Sequence, residues 1–177
     1  MSGAGAVISF KIIYNTGAYL FLLIIQMEAK IKIADNAELR TKIEKISGSL
    51  NMVELSEWAA RCARHVLHFA ETELPAINAI SEGFETLESW QKGEASVYQI
   101  RQSGFKIHAA ARQCKTEVAK AAIRCAGQAV STGHMREHAM ICSDYAIKTI
   151  QLAFSGSVNK ITDEREWQLS EIKRIIP

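Results

Sequence analysis

An all-α fold, a single-domain bundle or orthogonal array of about six or seven helices, is what this sequence predicts, on three observations. Apolar residues recur at helical spacing along nearly the whole chain after Met27, no stretch alternates apolar and polar residues long enough for a strand, and only two prolines occur in 177 residues. The breaks between periodic stretches are short, as neighbouring antiparallel or angled helices require. No fixed period supports a repeat solenoid.

Taken in order, the first helix is expected over residues 27–45, although Ile31 and Ile33 alternate with lysines there. Asn51 with Glu54 three residues on makes a capping box. It opens a helix over residues 52–69 with Val53, Trp58, Cys62, His65 or Val66, and Phe69 on its apolar side. Pro75 suits the first turn of the next helix, which runs to about Trp90 and ends at Gly93 as a C-cap glycine would end it. Ser96 and Gln99 form a second capping box, and Gly104 then reads as a break or kink, giving a short helix and a longer one over residues 105–114. In residues 116–130, Val118, Ala122, Cys125 and Ala129 give a narrow small-residue face that lets two backbones approach closely, which marks a central helix. Gly133 is a turn before a helix over residues 135–154, with Met135, Ala139, Cys142, Ala146 and Ile150 on one side. After Gly156, Asp163 with Glu166 is expected to cap a last helix running through Trp167 and Leu169 to Ile175.

The length suits one compact core, and 48% hydrophobic with 23% charged residues is ordinary for a globular chain. Twenty-one basic against 19 acidic side chains leave a net charge of +2 with no dense basic block, so no nucleic-acid partner is expected. Cys62, Cys114, Cys125 and Cys142 show no CxxC spacing; three sit in alanine-rich helical stretches as small apolar fillers, which fits reduced thiols in a reducing compartment. Residues 1–26 are an apolar N-terminal extension expected to lie outside the fold, leaving residues 27–177 as the helical domain. The unbroken apolar run over residues 18–25 is far shorter than the roughly 20 residues of a membrane span, and it runs straight into Gln26, Met27 and Glu28 with no cleavage-site pattern. A membrane enters only if that extension is retained.

The residues most suggestive of chemistry are His134, His138 and Cys142, spaced four apart and so placed on one helical face. A His-x-x-x-His pair can hold zinc or copper, and a metal-binding protein or metal-dependent enzyme using His134 and His138 with His108 or Cys142 is the alternative reading. Met135 follows His134 where a zinc protease helix needs glutamate, however, and Glu137 directly precedes His138. The simpler reading puts His134 at the helix start and His138 in a groove, hydrogen-bonded to a neighbour. His65 and His68 read as packed rings with bonded polar edges. With no nucleophile elbow, phosphate loop or acid-oriented base, the residues imply neither catalysis nor a cofactor, and no metal is assigned. Trp58, Trp90 and Trp167 read as core or interface anchors.

Four segments together resemble a known bacterial family. They are Trp58-Ala-Ala-Arg-Cys62-Ala-Arg-His65-Val-Leu67, Trp90-Gln-Lys-Gly-Glu94, His108-Ala-Ala-Ala-Arg112, and the stretch from Ala126 through Gly133-His134-Met-Arg-Glu-His138 to Ala139. In this order they are similar to the all-helical immunity protein family, and Glu164-Arg-Glu-Trp-Gln168 is like that family's C-terminal segment. The resemblance implies a cytoplasmic protein that binds and occludes a cognate toxin. It also implies that any shared partner-binding site falls on His108, Arg112, His134, His138 and Glu94. Two departures stand out: the segment Leu74-Pro-Ala-Ile-Asn-Ala-Ile80 replaces a more acidic one, and Gln128 stands where the family pattern has histidine.

Overall fold

The computed structural model describes residues 31–71 and 77–176. The apolar extension over residues 1–26 and Pro75, with the expectations placed on them, lie outside the described residues. Seven α-helices are found among those described, and no strand: α1 (Ala37–Ser47), α2 (Met52–Val66), α3 (Ile77–Gln91), α4 (Val97–Ala111), α5 (Glu117–Ser131), α6 (Glu137–Ala153) and α7 (Val158–Lys173), with a 3-10 turn at Leu67–Ala70 after α2. The all-α single-domain expectation holds.

Local chemistry explains most boundaries. The Asn51 side chain accepts from the amides of Val53 and Glu54 while Glu54 takes the Asn51 amide, so both halves of the capping box form. Ser96 and Gln99 repeat the device at the start of α4. Gly93 closes α3 in the left-handed region, φ 79°, where the Glu94 amide reaches back to the Ser89 carbonyl at 2.8 Å.

Besides α2 ending in the 3-10 turn and α6 starting at Glu137, which leaves Met135 exposed before it, three expectations fail. Residues 31–36 are not helical, because Asn36 turns its side chain to the Leu39 amide at 3.1 Å and caps α1 there. Gly104 does not break α4, which is continuous. It is buried, and a Cβ on it would stand 2.4 Å from Ser131 Oγ of α5. The glycine is a contact point between helices. Asp163 and Glu166 do not cap α7; a turn through Ser155 and Gly156, both at positive φ, lets the helix begin at Val158 and makes the acids interior positions.

The core is built around α5, which packs against α2, α4 and α6 and touches α3. Nearly every α5 residue from Ala119 to Ser131 is buried, leaving Lys120, Arg124 and Gln128 to reach the surface. Cys62, Cys125 and Cys142 fill the centre as unbridged thiols, with Cys142 Sγ donating to the Ala59 carbonyl at 3.3 Å. Trp58 is fully buried and gives its indole N–H to the Gln168 carbonyl at 3.1 Å. Val53, expected on the same apolar side, is instead 42% exposed.

On the other side, α1 and α7 pack together and α7 packs on α6 around a polar centre. Arg165 is 0% exposed, and its guanidinium engages Asp35 at 2.6 and 2.8 Å, Asp144 at 2.7 Å, and Gln168 and Ser143 besides. Arg40 from α1 adds a two-pronged grip on Asp144 at 3.0 and 3.1 Å. Removing one member of a buried ionic cluster strands the others in a low dielectric. We expect Arg165→Met to cost about 3–5 kcal/mol, read as a drop in the urea midpoint; an unchanged midpoint would show that the cluster contributes nothing net.

Candidate functional site

Of the residues singled out by sequence, four come to one face formed by α4, α5 and α6. His108, from α4, lies half-buried with its ring against Gly127 of α5, so close that a Cβ on Gly127 would stand 2.7 Å from the imidazole. Glycine here is a seat for the ring. One residue on, Gln128 points the other way, and the Nδ1–H of His138 donates to its amide oxygen at 2.5 Å. His134 precedes α6 in the turn after α5, its ring centroid 4.9 Å from that of His138. Arg112, exposed at the C-cap of α4, is near enough to act electrostatically on His108. Glu94 stands exposed in the α3–α4 turn, and no hydrogen bond or ion pair among the described residues joins its carboxylate to the other four.

Burial and nearby cations disfavour the charged form of two of these imidazoles, His108 and His134. Burial lowers the His108 pKa from the ordinary histidine value, and Arg124 and Arg112 lower it further. His134 is lowered in the same way, by burial and then by Arg101. Its Nδ1 is buried without a hydrogen-bond partner among the described residues. Among the described residues neither histidine has the orienting carboxylate that a general base uses.

The expected shared helical face of His134, His138 and Cys142 does not form. His134 is outside α6, and Cys142 turns inward to the Ala59 carbonyl and Cys125 Sγ, 3.4 Å away. Among the described residues no group of three His, Cys, Asp or Glu side chains is placed to hold a metal ion.

Sequence reasoning found Arg112 but missed two further arginines of this face. Arg101 and Arg124 flank the imidazoles, and among the described residues neither they nor Arg112 pair with a carboxylate. Arg40, Arg61, Arg64, Arg165 and Arg174 all do. Arg136 is occupied too, donating to the carbonyls of Ser47 and Leu50. No motif marks an unpaired arginine; the helical spacing of Arg101, His108 and Arg112 was the available signal.

His65 is a contrasting histidine, outside this face. Its Nδ1 meets Glu164 at 2.9 Å and its ring stacks on Trp167 with centroids 3.7 Å apart. The Glu164 hydrogen bond chiefly raises its pKa, against the effect of burial.

Fold and face together define an all-helical protein that presents an open surface of arginine and histidine with no three-residue ligand set. The match to known families makes this specific: the chain belongs to the Imm-5 like putative immunity protein family, which matches residues 46–175. No curated protein and no solved structure matches it. Among the described residues no helix is long and apolar enough to cross a membrane.

The histidine shifts give a signed expectation. A raised folded-state pKa at His65 contributes stability that is complete below the unfolded value of about 6.5 and is lost as pH rises through the folded value. Lowered values at His108 and His134 act oppositely, removing stability as pH falls below the unfolded value. The difference in urea midpoint between the parent chain and His65→Gln isolates the first effect. It should be largest at mildly acidic pH and shrink on the alkaline side; a pH-independent difference would refute the assignment.

Proposed function

We propose that this protein is a cytoplasmic immunity factor that protects its producer by binding a cognate protein toxin and occluding it, without catalysis of its own. Family membership across residues 46–175 carries the reading. The face bearing His108, Arg112, His134 and His138 is the proposed contact surface, with Glu94 at its α3–α4 edge. An occluding complex of ordinary size buries about 1,600 Å² in total and draws most of its energy from a few aromatic or arginine anchors. A protein with that task needs a rigid, pre-formed surface more than a cavity, because ordering a loose surface on binding would cost affinity. The close seating of α4 on α5 through Gly104 and Gly127 supplies such rigidity.

Co-expression of the full chain with each toxin encoded beside it should restore growth for one of them, and the purified pair should form a stable complex. Failure to rescue against every neighbouring toxin would overturn the reading.

A further inference from the structure

The outer side of α4 carries a stripe that the sequence reading did not single out: Tyr98, Arg101, Phe105, His108 and Arg112, at alternating spacings of three and four residues, which place them along one helix face. The other flanks of α4 are occupied. Ser103 bonds Thr86 and Lys106 pairs with Glu82, both on α3, while Gly104 abuts Ser131 of α5. Tyr98 is 69% and Phe105 59% exposed, large apolar rings standing in solvent between unpaired arginines. Beside this stripe, Arg124 and Gln128 form the floor where α5 reaches the surface, and His138 and Tyr145 of α6 stand on its far side. The α5 carboxylate on this surface, Glu117, is already held by Lys120.

We propose that this α4–α5–α6 face docks an acidic patch of a partner protein, with carboxylates received by Arg101, Arg112 and Arg124 and with Tyr98 and Phe105 as aromatic anchors. The inference rests on the immunity reading for the partner being a protein, and deepens it by stating that partner's chemistry. Charge complementarity is the argument. Every other arginine among the described residues is neutralised by a carboxylate or capped on carbonyls, while the three on this face form no ion pair, Arg124 feeling only at longer range the Glu117 carboxylate that Lys120 holds. Guanidinium groups suit planar, two-pronged recognition of carboxylate. Tyrosine, phenylalanine and arginine at the centre of a patch are also the usual composition of protein interface cores. A nucleic acid would call for a denser array of cations along a backbone track than these three arginines and the lysines beside Arg124, Lys32, Lys120 and Lys148, provide in a chain of net charge +2.

The test uses the full chain and two probes. In the first, backbone amide NMR shifts are followed while a poly-glutamate peptide is titrated in, with single-stranded DNA, phosphatidylserine vesicles and the protein alone at rising concentration in parallel. The proposal expects peptide-induced shifts confined to α4, α5 and the start of α6. It expects them to be lost with high salt and in Arg101→Glu/Arg112→Glu. Both substituted residues are exposed, so the thermal midpoint should stay at the parent value. No peptide binding, shifts mapping elsewhere, tighter binding of DNA or vesicles, or self-association through this face would each overturn it.

In the second, the variants are paired with the neighbouring toxin that the parent chain neutralises. Arg101→Glu/Arg112→Glu and Phe105→Ala should weaken the complex by roughly tenfold or more, the size of a hot-spot loss. The distant control Lys42→Glu should not change it. Full neutralisation by all variants would sink the docking face and leave the immunity reading intact. Absence of any neutralised toxin, with the peptide mapping positive, would sink the immunity reading and leave the acid-binding face.

Discussion

The Arg165 guanidinium, fully enclosed, is the constraint from which much of this fold follows. A buried cation is tolerable only when carboxylates and hydrogen-bond acceptors surround it, since the loss of hydration costs several kcal/mol on its own (roughly, after relaxation). Those acceptors come from far apart in the chain: Asp35 before α1, Ser143 and Asp144 on α6, and Gln168 one turn along α7. To satisfy Arg165, the segment before α1 must lie across α6 and α7 in one register. Arg40 reinforces that register by holding Asp144 from α1. Gln168 passes the constraint on, because its carbonyl receives the Trp58 indole and so fixes α2.

The opposite half of the molecule is organised by the absence of side chains. Alanines and Gly127 on α5 let α2, α4 and α6 close around it, and packing at that distance tolerates little change in volume. A central helix so enclosed can reach solvent only along one line. That line is where Arg124 and Gln128 emerge, walled by α4 and α6. The arginines of the α1–α7 side are consumed internally; those of the α4–α5 side form no ion pair among the described residues. The division gives structural cohesion to one side and leaves the other as the surface proposed for recognition.

Much of this was legible in the sequence because it is local. Asn51 with Glu54, Ser96 with Gln99, and Gly93 are short-range devices, and all three formed where their spacing put them. Gly104 was misread because one glycine can end a helix or let another helix approach, and only the position of Ser131 decides. Asp163 and Glu166 fit a capping pattern equally well, but the turn at Ser155 and Gly156 had already started the helix. The Arg165 cluster could not be read at all: Arg165 and Asp35 are 130 residues apart, and periodicity carries no information about such pairs. Family resemblance led to His108, Arg112, His134 and His138. Arg101 and Arg124 escaped notice because an arginine is recognised as unpaired only when the pairing of all the others is known.

The histidines of the exposed face are better understood as shape than as chemistry. His108 fills the hollow above Gly127, and His138 is fixed by Gln128, so both rings are positioned by packing and one hydrogen bond. Burial, and after it arginines from α4 and α5, depress the proton affinity of His108 and His134, the reverse of the carboxylate-backed arrangement that makes imidazole a good base. His65 shows what that arrangement looks like in this same protein. Beside Glu164 and stacked on Trp167, it has a raised proton affinity, yet it belongs to the junction of α2 with α7. With the proton affinity of His108 and His134 lowered, the positive charge of the face rests on its guanidinium groups. An acidic partner of the kind proposed would then meet a surface whose positive charge comes from arginine more than from His108 or His134.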